Sequence, residues 1–157
     1  MKKNIAVVGC GHWGKNLVRN FAELGALVAV CDPNDELAKM YAKEYNVDNL
    51  SFDAIISDAT IEGVVLAVPA PLHASMAIEV MNAGKHVYVE KPLAMNRIEA
   101  EAMIASARDN DVQLMVGHLL QYHPVFMAVR GLVESGELGS LSYVYSNRLS
   151  FGKVRSE

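Results

Sequence analysis

The segment from Asn4 to Asp32 constrains this chain more than any other. It opens with Ile5-Ala6-Val7-Val8, whose length and β-branched content suit a buried parallel strand rather than a helix. Gly9-Cys10-Gly11-His12-Trp13-Gly14 follows, a full G-x-G-x-x-G. Leu17, Val18, Phe21 and Leu24 then repeat at helical spacing until Gly25. A second apolar run, Leu27-Val28-Ala29-Val30-Cys31, ends on Asp32.

Such a strand, glycine turn, helix and acid-terminated strand make a unit that binds a dinucleotide. Gly9 turns the chain off the strand, Gly11 admits a pyrophosphate close to the backbone, and Gly14 lets the helix pack on its strand. The amides of the first helical turn, at the positive end of the dipole, hold the phosphates. Asp32 selects the dinucleotide: its carboxylate accepts ribose hydroxyls and repels a 2′-phosphate. Pro33-Asn34-Asp35-Glu36 follows, with no basic residue before Lys39. NAD is therefore expected over NADP. Asp-Pro-Asn is also good turn chemistry, and the two roles are compatible.

The alternation continues. Asn34 is placed to cap a helix through Leu37, Met40, Tyr41 and Tyr45. A short strand near Leu50 and a short helix at 54–56 lead to a buried strand over 63–68, closed by Pro69-Ala70-Pro71. A helix over 73–83 stops at Gly84, and His86-Val87-Tyr88-Val89 is the next strand, ending in Glu90-Lys91-Pro92. Asn96 and Glu99 start a helix holding Ile98, Ala102, Ala105 and Ala107, and Gln113-Leu114-Met115-Val116 follows as a strand. This rhythm predicts an α/β fold, a Rossmann-type doubly wound parallel sheet. After a helix from Pro124, residues 140–151 alternate apolar and polar, the pattern of a half-exposed antiparallel strand. The expected division is 1–122 for an NAD-binding domain and 123–157 for the beginning of a second, α+β domain.

A chain of 157 residues is about one domain long. Its 52% hydrophobic content is enough for a core, and a net charge of -4 gives no footprint for nucleic acid. No apolar run nears the roughly 18 residues of a membrane span. The only cysteines, Cys10 and Cys31, fit a reducing compartment and no metal spacing, so no metal site and a cytoplasmic location are expected.

Ligands in open α/β sheets bind beyond the carboxyl ends of the strands. Those ends are 9–14, 69–73, 90–92 and 117–123. Taken together, the glycine loop, Pro69 with His73, Gly84-Lys85-His86-Val87, Glu90-Lys91-Pro92 and Ser135-Gly136-Glu137-Leu138-Gly139 resemble one family. It is the glucose–fructose oxidoreductase / inositol dehydrogenase (Gfo/Idh/MocA) family of nicotinamide-dependent sugar oxidoreductases. Trp13-Gly14-Lys15-Asn16, the segment 117–124 and Ser146-Asn147-Arg148-Leu149 look most like its nucleotide-sugar dehydrogenases, which oxidise the sugar 3-hydroxyl of substrates such as UDP-N-acetylglucosamine.

The resemblance implies that Lys91 is catalytic, a cation that binds a substrate hydroxyl and stabilises alkoxide character as hydride leaves. It places Gly9, Gly11, His12, Trp13, Gly14, Asp32, Pro69, His73, Glu90, Lys91 and Pro92 on the cofactor side. Glu90 would orient Lys91 or meet the nicotinamide, and His73 would be a cleft residue, with a structural role as the alternative. His118, Gln121, Tyr122 and His123 would line the substrate entrance. Two positions depart from the family: Ala70 stands where an asparagine is frequent, and Gln121 where an arginine is. The family's catalytic base belongs to a second domain, so the chain is expected to be the amino-terminal part of a longer protein, inactive alone and prone to self-associate through the 140–151 face. A non-catalytic NAD-binding sensor and a different small oxidoreductase on the same scaffold, such as an imine or tetrapyrrole reductase, are the alternative readings.

Overall fold

A computed structural model of the chain describes residues 4–147 and residue 149. Two compact units divide it, Met1–His118 and Leu119–Glu157.

The first unit is one six-stranded sheet, all parallel, in the order β3-β2-β1-β4-β5-β6. Its strands are β1 Ile5–Val8, β2 Leu27–Cys31, β3 Asp48–Asn49, β4 Gly63–Leu66, β5 His86–Val89 and β6 Leu114–Val116. Helices α1 Gly14–Glu23, α2 Asp35–Tyr45, α3 Phe52–Ser57, α4 His73–Asn82 and α5 Arg97–Asp109 connect them. The period of two along each strand sends neighbours to opposite faces. Val7, Val30 and Val65 pack with Leu17, Val18 and Ala42 on the face covered by α1 and α2. Ala6, Val8, Val64, Leu66, Val87 and Val89 pack with Ile55, Ala77, Val80, Met81 and Met103 on the other. With both faces covered, the strands read as unbroken apolar runs.

Local chemistry sets the helix starts. The Asn34 side chain accepts from the Leu37 amide, Ser51 from Ala54 and Asn96 from Glu99. Each satisfies an orphan donor of a first turn. At the amino edge of the sheet Lys85 is buried, its ammonium donating to the Asp58 and Ile61 carbonyls at 2.6 and 2.8 Å. Burial lowers its pKa, and the nearby Asp58 opposes that shift. The Gly84-Lys85-His86-Val87 motif thus holds the fold at the edge away from the strand ends where ligands bind.

The helix expected to hold Ile98, Ala102, Ala105 and Ala107 forms as α5, and its buried stripe is Met103, Ser106 and Ala107, spaced i, i+3, i+4. Two expectations need correction. Strand β4 ends at Leu66, and the carbonyl of Val68 faces a histidine instead of a sheet neighbour. The strand expected over 140–151 does not form in the part described: Leu141 to Asn147 has no regular structure, while residues 148, 150 and 151 lie outside the described residues. An alternating segment becomes a strand only through a ladder, and no partner strand for it occurs among the described residues.

The second unit consists of a 3-10 turn, Leu119–Tyr122, and helix α6, Pro124–Glu134. Pro124 at the first helical position needs no N–H acceptor, and the His123 ring accepts from the Val125 amide. Among the described residues no helix is long and apolar enough to cross a membrane.

Candidate functional site

Register brings the strand ends level. Val8 pairs with both Cys31 and Leu66, Leu66 with Val89, and Val89 with Val116. The next residue of each of four strands therefore lies along one edge: Gly9, Ala67, Glu90 and Gly117. Their amides continue the ladder onto Cys31, Val8, Leu66 and Val89 at 2.8–3.0 Å. The order reverses between β1 and β4, the switch point where such sheets bind ligands.

The three glycines of the loop do different work. Gly9 sits at φ +92°, and a Cβ there would come 2.5 Å from the Ala67 carbonyl oxygen. A Cβ on Gly14 would collide with the Gly9 carbonyl. These two are glycine because the fold requires it. A Cβ on Gly11 would meet nothing within 4 Å. Packing gives no reason for that glycine, but a ligand against the backbone does. Among the described residues the amides of Gly11, His12 and Trp13 have no acceptor in the protein, and His12 and Trp13 are exposed. Donors without acceptors, an unfilled approach to Gly11 and the start of the ten-residue α1 fit a pyrophosphate.

Asp32 closes the other side of the loop. One carboxylate oxygen accepts from the Cys10 amide at 2.7 Å and the other from the Asn34 amide at 2.9 Å. An ionised carboxylate has about four acceptor positions, so about two remain for ribose hydroxyls. Cys10 and Cys31 lie beside it. Burial first, then the Asp32 charge, pushes the Cys10 thiol up to about 12, and the same two causes raise Cys31. Both are held as neutral thiols. They fill the strand ends, Cys10 buried and Cys31 half-buried.

At the end of β5, Glu90 is 6% exposed, yet its carboxylate is well supplied with donors. One oxygen accepts from the Trp13 indole N–H at 2.7 Å and the Tyr88 hydroxyl at 3.2 Å. The other takes the Lys91 backbone amide at 3.2 Å. Gly117 makes room for this cluster, since a Cβ there would lie 2.6 Å from the Tyr88 hydroxyl and 2.8 Å from the carboxylate. Glu90 thus meets Lys91 through the backbone, and the Lys91 ammonium, on an exposed residue, has no acidic partner among the described residues. A lysine free of ion pairs at the lip of the switch-point edge can donate to an incoming oxygen. Sequence reasoning placed Gly117 at a ligand-side strand end but gave it no role, and it did not include Tyr88 in the site. Their signal was position, two residues before Glu90 and across from it.

His73, expected in the cleft, is 1% exposed. Its Nδ1 lies 2.7 Å from the Pro92 carbonyl oxygen and its Nε2 lies 2.9 Å from that of Val68. A neutral imidazole donates to one of the two, the tautomer deciding which. The ring therefore ties the β4 exit to the Glu90-Lys91-Pro92 loop from beneath, and the alternative structural reading describes its position. Pro69 is exposed at the same edge. His118 is exposed and ends the first unit, while Gln121, Tyr122 and His123 belong to the second, where all three are exposed. No three His, Cys, Asp or Glu side chains among the described residues group so as to hold a metal ion.

Comparison with known proteins places this arrangement. The sequence is 32% identical over 151 residues to UDP-N-acetylglucosamine 3-dehydrogenase of Acidithiobacillus ferrooxidans, covering 96% of this chain and 46% of that one. The fold superposes on a putative myo-inositol dehydrogenase from Sinorhizobium meliloti 1021 with a TM-score of 0.79 at 31% identity, over 87% of this chain and 42% of that one. A scyllo-inositol dehydrogenase from Lactobacillus casei, solved with bound NAD(H) and scyllo-inositol, gives a TM-score of 0.81 at 25% identity, over 88% and 43%. The chain thus spans somewhat under half the length of these relatives. The model of the oxidoreductase family with an NAD-binding Rossmann fold matches residues 3–118, and the chain belongs to that Gfo/Idh/MocA family.

Proposed function

We propose that this chain forms the cofactor-holding part of an NAD-dependent oxidoreductase that moves a hydride between NAD and a hydroxyl of a sugar or nucleotide-sugar. The substrate class we favour resembles UDP-N-acetylglucosamine, with reaction at the 3-hydroxyl. The observation that carries the reading is the unpaired Lys91 ammonium beside a Glu90 carboxylate already committed to Trp13, Tyr88 and the Lys91 amide. When bound, NAD supplies the hydride acceptor. The loop amides of Gly11, His12 and Trp13 hold the pyrophosphate, and Asp32 takes the ribose hydroxyls. Lys91 donates a hydrogen bond to the substrate oxygen and stabilises the negative charge that develops there as the hydroxyl proton passes to a base, so that the carbon can then give up its hydride to NAD. Its value lies in strengthening toward the transition state, so it raises turnover more than binding. His118, Gln121, Tyr122 and His123 are the proposed substrate contacts. A homo-oligomer built through the segment after residue 140, and a cytoplasmic location, complete the proposal.

The test replaces Lys91 by Met in the full-length protein and follows nicotinamide reduction with a panel of UDP-sugars and inositols. Loss of one such donor costs about 10²–10³ in kcat. NAD affinity should stay near wild type. Undiminished turnover would remove Lys91 from the chemistry, and a parallel loss of NAD affinity would make it a cofactor residue. A protein that binds NAD and reduces none of the panel would favour the sensor reading.

A further inference from the structure

We propose that Trp13 is a positioning residue for Lys91, acting through Glu90. This rests on the reading of Lys91 as the residue that meets substrate oxygen. Trp13 and Glu90 are 77 residues apart in sequence, yet the indole N–H makes the shortest hydrogen bond to the Glu90 carboxylate, 2.7 Å against 3.2 Å for each of the other two. Trp13 lies between Gly11 and Gly14, in the loop whose amides have no protein acceptor. One carboxylate therefore joins the pyrophosphate loop to the loop that carries Lys91. The carboxylate is almost fully buried, which makes any loss of donors costly.

The consequence concerns the Lys91 ammonium. With the indole in place, Glu90 is supplied from three directions and touches Lys91 only at its backbone amide. Without the indole N–H, the buried charge lacks its best donor and must find another. The Lys91 ammonium belongs to the next residue, is exposed and has no acidic partner among the described residues. A Glu90–Lys91 ion pair would then withdraw the Lys91 ammonium from the substrate oxygen. Trp13 keeps the two apart. The ring itself is 43% exposed, so its packing contributes little that phenylalanine could not replace.

The experiment labels lysine amines with an acetylating reagent and reads each site by mass spectrometry, in wild type, Trp13→Phe, and Trp13→Phe with Glu90→Gln. Lys91 should label readily in wild type and about 2- to 5-fold more slowly in Trp13→Phe, the fold-change of an exposed ion pair. Adding Glu90→Gln removes the charge and should restore the wild-type rate. Lys85, buried on the Asp58 and Ile61 carbonyls, is the internal control and should stay protected throughout. An unchanged Lys91 rate in Trp13→Phe overturns the proposal. So does loss of Lys85 protection in that variant, which would make Trp13 merely structural, or failure of Glu90→Gln to restore labelling. None of these outcomes depends on turnover, so this inference and the assignment of Lys91 to catalysis fail separately.

Discussion

Replacing Asp32 by Asn changes one oxygen for an NH2 and alters the shape of the side chain hardly at all. In most surface positions such a change is nearly silent. Here both carboxylate oxygens accept backbone amides, from Cys10 at 2.7 Å and from Asn34 at 2.9 Å. Either orientation of the new amide group keeps one bond and sets a donor against a donor at the other. A hydrogen bond to a charged group contributes about 1.5–3 kcal/mol, so the loss should be about 2–3 kcal/mol. For a chain of this length each kcal/mol moves the thermal midpoint by about 2–4 °C, which gives a drop of about 4–12 °C. Binding responds as well. The acceptor positions left for the ribose are weakened and the negative charge facing a 2′-phosphate is gone, so NAD affinity should fall while NADP gains relative to NAD. Differential scanning calorimetry reads the first effect and isothermal titration with both cofactors the second. An unchanged midpoint would mean that the two amide bonds are not made. An unchanged NAD-to-NADP ratio would remove Asp32 from cofactor selection.

Two further outcomes follow from the same edge of the sheet. Gly11→Ala should fold with an unchanged midpoint and bind NAD weakly, because its Cβ meets no protein atom within 4 Å, whereas Gly9→Ala should lose stability outright, with its φ of +92° and a carbonyl oxygen 2.5 Å away. Calorimetry beside NAD titration separates the two, and a Gly11→Ala protein with wild-type affinity would deny the pyrophosphate its place. Burial, then the Asp32 charge, pushes the Cys10 thiol up to about 12 against an ordinary 9.0, so its reaction with a disulfide reagent at pH 8 should be much slower in the native protein than in denaturant. Because the folded value is the raised one, the stabilising contribution of the neutral thiol is complete below pH 9 and is lost as pH rises through about 12. Rapid labelling of Cys10 in the native protein would contradict its burial.

How much of this was legible in the residues themselves follows from range. The strand, glycine turn, helix and acid of 4–32 read correctly because each signal is local: a period, a cap, a turn residue. The caps at Asn34 and Asn96 read for the same reason. Which side of α5 faces the sheet was not legible, because apolar spacing alone does not choose it, and the buried stripe is Met103, Ser106 and Ala107. For His73 the residues left a cleft role and a structural role open, because a histidine at a helix start beside a proline turn suits either. Its burial depends on two carbonyls, five and nineteen residues away, that only the folded edge brings to its ring. The link from Trp13 to Glu90 was illegible for a plainer reason, since it exists only once β1, β4 and β5 are in register. Residues 141–147 show the reverse case, a clear alternating pattern that a ladder must complete.

Two carboxylates flank the loop proposed to hold a pyrophosphate, where like charge opposes the ligand. The donors resolve it. Asp32 takes the Cys10 amide at the start of the loop, and Glu90 takes the Trp13 indole at its end. Each acid is thereby answered by donors pointing at it and away from the loop's open side, while the intervening amides of Gly11, His12 and Trp13 stay available to the phosphates. The acids hold the loop at its two ends, so its shape is set before any ligand arrives and little ordering remains to be done on binding. Their charges still act over the short distances beyond the loop, disfavouring a third phosphate beside Asp32 at one end. At the other end Lys91 has no acidic partner among the described residues. Acids committed to backbone amides and an indole, beside a lip lysine with no such partner, suit the proposed arrangement of an anion in the middle and a positive charge at the edge.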